Sequence, residues 1–223
     1  MPIDASEIDS TDPVEAEIWK QAKAALKAGK EEHAIAMLRE LANRGDWRAS
    51  TSLGYIFESK GAKSPAFYAQ AVHWYSEAVA KWDRPEPHLG LARYYYFGLG
   101  GHHDFQRVYE HLSVVPSEEY IEAALMMAEL LFLGVGVKRD IARASQLFSL
   151  AAKHGYPLGL LGLGRVAKAQ GDHWKSVLYS VRAFLASARL IWKNDNDVRL
   201  LGVGRRRGRL VLEKVVGNCT KNT

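Results

Sequence analysis

The residues most suggestive of chemistry are histidines: His102 and His103 stand beside Asp104, with His88 and His111 close by in a chain of 223 residues. A metal site would need ligands at a spacing that puts two of them on one side. Adjacent histidines point apart, and no second pair stands at helical ligand spacing, so the cluster reads as a solvated loop. Gly202-Val203-Gly204 followed by Gly208 imitates a dinucleotide fingerprint. That motif requires a βαβ unit and an acidic residue about 20 positions on, and the sequence runs out before one. Cys219, the single cysteine, has no patterned histidine, and no Ser, His and carboxylate set shares a register. No catalytic residue, metal or cofactor is therefore expected, and an enzyme is the function class with least support.

Charge is the other candidate. The net charge is +5 with a pI near 9.2, unevenly spread. Residues 1–17 hold six acids and no base, whereas Arg199, Arg205, Arg206, Arg207, Arg209 and Lys214 face only Glu213 within 199–214. Interleaved with Leu210, Val211 and Leu212, the cluster Arg205, Arg206, Arg207 and Arg209 has the composition of a contact for an acidic partner, a nucleic acid or an anionic membrane face. The same run also suits a solubilising cap whose charges face water.

The elements that must position these groups are clearest between Ala123 and Gly155. Small and apolar residues recur there at three and four, the period of a packed helical face. Gly134 and Gly136 end that helix, because glycine takes a positive φ without penalty. Asp140 stands where a side-chain oxygen caps a second helix, whose inner face is Ala144, Phe148, Ala151 and Ala152. The unit is a helical hairpin. Positions equivalent to Asp140 fall at Lys30, Phe67, Asp104 and Asp172, at steps of 32 to 37 residues, the period of helix-pair solenoids.

The run Ala123, Met127-Ala128, Leu131, Gly134-x-Gly136-Val137, Asp140, Ala144, Phe148, Ala151-Ala152 and Gly155 resembles the Sel1-like repeat, a relative of the tetratricopeptide repeat. Met127, Ala128, Leu131 and Leu147 replace that pattern's Leu, Gly, Tyr and Trp. The resemblance covers roughly 13–187. It implies an all-α fold, an α-α superhelix or solenoid of about five Sel1-like or tetratricopeptide-like helix pairs with a C-terminal capping helix. The expected domains are a flexible leader over 1–12, repeats over 13–187, and a basic cap and tail over 188–223. Asp12-Pro13-x-Glu15 signals the first helix, Ser64-Pro65 the start of a second-helix segment, and Ser117-Glu118-Glu119 the start of the helix before Gly134. Pro116 should cut the preceding helix short.

The resemblance further implies a non-catalytic adaptor or scaffold that binds another protein or peptide on a concave wall lined by the first helix of each pair. Tyr55, Arg93, Tyr94, Phe97, Glu129 and Arg165 occupy the first-helix positions beside the consensus ones and are the expected partner contacts. Tyr94 and Phe97 could equally pack between repeats. Nucleic acid is the less favoured partner. No run is long and apolar enough to span a bilayer and no secretory pattern opens the chain, so the expected location is the cytoplasm.

Overall fold

The structure, a computed structural model, describes residues 12–193. The expected leader, the capping helix, Arg205, Arg206, Arg207, Arg209 and Cys219 lie outside the described residues. Ten helices and no strand occur among the described residues. They are α1 (Pro13–Lys27), α2 (Glu31–Asn43), α3 (Trp47–Gly61), α4 (Ala66–Lys81), α5 (Pro85–Phe97), α6 (Phe105–Ser113), α7 (Ile121–Leu133), α8 (Ile141–Lys153), α9 (Pro157–Ala169) and α10 (His173–Lys193). In chain order they make five helix pairs, the expected all-α helix-pair fold.

Local chemistry sets the helix ends. Asp12 caps α1 through the Val14 amide, with Pro13 at the first helical position. The equivalent aspartates Asp104, Asp140 and Asp172 accept from the amides of Arg107, Arg143 and Lys175 at 3.1, 2.9 and 2.9 Å. Each occupies one of the orphan donors of a helix N-terminus. Gly134 takes φ 71° to close α7 in a left-handed cap, a conformation in which a side chain would be strained.

One start differs from expectation. α7 begins at Ile121, not at Ser117, and Tyr120 precedes it without a side-chain cap. The carbonyl of Pro116 accepts from the amides of Glu119 and Tyr120 at 3.2 and 3.0 Å, so residues 117–119 are used up in a turn. Upstream, α6 stops after nine residues. α4 does start after Ser64-Pro65. At the far end, α10 runs without a break through the expected boundary at 187/188 as far as Lys193.

The chain divides into two compact units, Met1–Tyr94 with Leu99–Gly101 and Tyr95–Gly98 with His102–Thr223, so the division falls within α5. In the first unit α1 packs on α2, α2 on α3 and α3 on α4. Its core holds Trp19, Leu38, Leu41, Leu53 and Tyr75, all essentially inaccessible to solvent. In the second unit α6 packs on α7, α7 on α8, α8 on α9 and α9 on α10. Val108, Leu130, Ala144, Phe148 and Ala151 are fully buried there. Complete burial of one such large apolar side chain contributes about 1.5–3 kcal/mol. The expected inner face of α8 is present, with Ala152 only half-buried.

Candidate partner-binding site

The first helices carry the expected contact residues, and the structure joins them in two sets. In the first unit Arg93 of α5 donates from Nε and Nη2 to Glu58 of α3 at 3.0 and 2.9 Å, a two-pronged ion pair. Its guanidinium lies 5.1 Å from the centre of the Tyr55 ring. Tyr55 meets Tyr75 edge-on, with centroids 5.6 Å apart. The Tyr75 hydroxyl donates to the same Glu58 carboxylate at 2.7 Å. Burial, with the Glu58 carboxylate next in weight, raises the pKa of Tyr75 far above that of free tyrosine. Tyr94, the next residue along, is half-buried with its hydroxyl against the turn at Gly100.

The second unit repeats the device. Arg165 of α9 donates from Nη1 to both oxygens of Glu129 of α7 at 2.5 and 2.7 Å. The guanidinium sits 4.6 Å from the centre of the Phe132 ring. Close by, the buried Tyr96 has its pKa raised, first by burial and then by the Glu129 charge. Phe97 is half-buried at the end of α5, edge-on to Tyr96 at 5.1 Å. The structure thus brings Tyr55 to Arg93 and Glu129 to Arg165, joins Phe97 to the second cluster only through Tyr96, and sets Tyr94 against the turn at Gly100.

Glu58, Tyr75, Tyr96 and Phe132 complete these clusters and were not among the expected contacts. A signal for the first lay in the repeat itself. Lys23, Glu58, Arg93, Glu129 and Arg165 stand 35 or 36 residues apart on α1, α3, α5, α7 and α9. Their signs alternate, so Glu58–Arg93 and Glu129–Arg165 are the same neighbouring-repeat bond made twice. Aligning the repeats by charge instead of apolar period alone finds it.

Three of the four clustered histidines, His88, His103 and His111, have a local role. His103 bonds the Tyr96 carbonyl through Nδ1 at 2.9 Å and stacks on Phe105, His88 pairs with Asp83, and His111 stacks on Tyr95. Among the described residues no three His, Cys, Asp or Glu side chains are grouped to hold a metal ion. In the second unit a groove of about 960 Å³ runs beside α8, lined by residues that include Leu112, Pro116, Glu118, Leu147, Leu150 and Lys153. It lies where α6 is short. No described helix is long and apolar enough to cross a membrane.

No family model matches the chain. Protein sel-1 homolog 2 of Homo sapiens is 25% identical over 191 residues, which is 82% of this chain and 27% of that protein. The chain thus spans about a quarter of the length of that relative. A Sel1 repeat protein from Oxalobacter formigenes has a solved structure similar to this one at a TM-score of 0.60, with 21% identity over 89% of this chain and 83% of that one. A second solved structure, c5321, a protective antigen of uropathogenic Escherichia coli with an SLR fold, matches at a TM-score of 0.54 and 24% identity, covering 72% of this chain and 35% of its own. The chain is thus similar in sequence, over most of its length, to a sel-1 homologue, and its repeated helix pairs share the fold of these two Sel1-repeat structures.

Proposed function

We propose that this chain is a non-catalytic adaptor or scaffold that binds a partner protein or peptide on the exposed sides of its first helices. The contacts are Tyr55, Arg93 and Tyr94 in the first unit, and Phe97, Glu129 and Arg165 in the second. One observation carries the reading: at equivalent repeat positions an arginine is laid over an aromatic ring and held by a carboxylate on the neighbouring first helix. Such a surface is preorganised, so a partner would lose little entropy in ordering it, and Arg and Tyr are the types that dominate binding energy at interfaces. Arg93 and Arg165 act in this reading as braced platforms, not as free cations. The same reading places the protein in the cytoplasm.

Selection of a displayed random-peptide library on the immobilised full chain tests it. Peptides should be enriched that bind Tyr55→Ala, Tyr94→Ala or Arg165→Ala at least about tenfold more weakly, the size of one interface hot spot. Selected peptides that bind all three variants as tightly as the parent would refute the assignment of this surface.

A further inference from the structure

The last described helix carries an apolar face of its own. Of the nine large apolar side chains with strong exposure among the described residues, seven lie on α10: Trp174, Val177, Leu178, Val181, Phe184, Leu185 and Trp192. At 100° per residue they fill one arc of about 120°. The opposite side packs on α9, where Ala183 and Leu190 are buried and Gly164 comes up to Tyr179. Lys175, Arg182 and Arg189 line one edge of the exposed arc, and α10 contains no carboxylate. Lys175 pairs with Asp172, while among the described residues no ion pair reaches Arg182 or Arg189.

We infer that this face of α10 docks on the surface of a bilayer containing anionic lipid, lying in the interface without crossing it. Three observations favour that occupant. The charge is of one sign, and an apolar arc with a purely cationic edge is the pattern of interfacial helices. Trp174 and Trp192, 77% and 94% exposed, stand five turns apart on the same side, about 27 Å along the axis. Tryptophan at both ends suits the headgroup level, where an amphipathic ring gains on both sides. The face is also a single ridge, which a fluid interface accommodates without a matching groove.

The chain's own 199–214 segment is a poorer occupant, since its six cations would meet the cationic edge of α10. Antiparallel pairing of two copies through the arc would set their cationic edges side by side, which disfavours that dimer. The 199–214 cations instead add to attraction by an anionic surface, each by up to about 1 kcal/mol near the headgroups.

The test uses the full chain and vesicles of phosphatidylcholine alone or with about 30% phosphatidylglycerol, followed by co-sedimentation and tryptophan emission. We expect binding to the anionic vesicles with a blue shift, at least about tenfold weaker on phosphatidylcholine, and weakened several-fold between about 0.1 and 0.5 M salt. Val181→Asp with Phe184→Glu should abolish binding, and Arg182→Glu with Arg189→Glu should weaken it at least about tenfold. The four residues are exposed, so circular dichroism should show unchanged folding. Trp174→Phe with Trp192→Phe should remove most of the blue shift while the chain still sediments.

Equal binding to both vesicle types overturns the proposal. So does binding that survives the Val181/Phe184 change but is lost when Arg205, Arg206, Arg207 and Arg209 become alanine, which would assign the contact to the tail alone. Absence of vesicle binding, with a concentration-dependent increase in mass that Phe184→Glu removes, would identify a second copy as the occupant. Absence of vesicle binding with saturable binding of an acidic amphipathic peptide would identify a protein partner. Neither outcome bears on the first-helix surface, because α10 is the second helix of its pair.

Discussion

Asp46 stands at the N-terminus of α3 with 8% of its surface exposed, accepting from the Trp19 indole at 2.7 Å and from the Arg48 amide and guanidinium. Burial pushes its carboxyl up, but the hydrogen bonds from Arg48 and Trp19 outweigh it and hold the group below the usual carboxylate range. A carboxylate with a lowered native pKa contributes stability above its unfolded pKa, near 4, and loses it as pH falls through the native value. Asp46→Asn should therefore lower stability by about 1–3 kcal/mol at neutral pH, and the deficit should shrink below about pH 4; urea midpoints at both pH values check it. Tyr75 and Tyr96 work in the opposite sense. Their pKa values are raised, so their share of stability is complete below about pH 10 and falls as pH rises past the value of free tyrosine. Phenolate absorbance should show both titrating only as the chain unfolds in base, and a titration of all ten tyrosines in the folded state would contradict their burial.

At the scale of elements, the contact of α8 with α9 is decided by glycine. A Cβ at Gly159 would run into the Ala152 amide and the Phe148 carbonyl, and one at Gly162 would strike the Phe148 ring. The helices are as close as backbone allows. Gly159→Ala should cost about 2 kcal/mol or more, since rigid backbone must move, whereas Glu15→Gln, a change of like size at a half-buried position in the first turn of α1, should cost under about 1 kcal/mol. Ala144, fully buried on α8, gives a stronger case: Ala144→Trp should depress the melting temperature by several degrees more than Glu15→Gln. Equal shifts in a thermal scan would count against the packing. Removing a cap is milder: Asp140→Ala should lower stability by about 1 kcal/mol.

For the whole molecule, stability comes from neighbours. Trp19 of α1 is buried and bonded to Asp46, which lies beyond the first pair at the start of α3. A peptide of residues 12–45 lacks that partner and the apolar face of α3, and a hairpin of this size does not offset its conformational entropy alone. Its circular dichroism should be that of an unfolded chain, and strong helicity would contradict the dependence of one repeat on the next. The partner binding proposed on the first helices and the lipid binding proposed on α10 are likewise separable at this scale, because the two proposals use different helices of a pair.

What the sequence determined by itself was periodic. Five helix pairs, the aspartate caps and the glycine stop after α7 follow from apolar spacing and capping chemistry, which act within a few residues and recur every 32 to 37. It also singled out Tyr55, Arg93, Glu129 and Arg165 by position in the repeat. Only the tertiary structure decided that these arginines are held by Glu58 and Glu129, since a bond across 35 or 36 residues depends on which faces of two helices meet. The start of α7 likewise turned on a carbonyl at Pro116 that closes a turn. The outward face of α10 was beyond the pattern for a related reason: an apolar stripe reads the same whether a neighbour covers it or leaves it exposed, and only packing distinguishes the two.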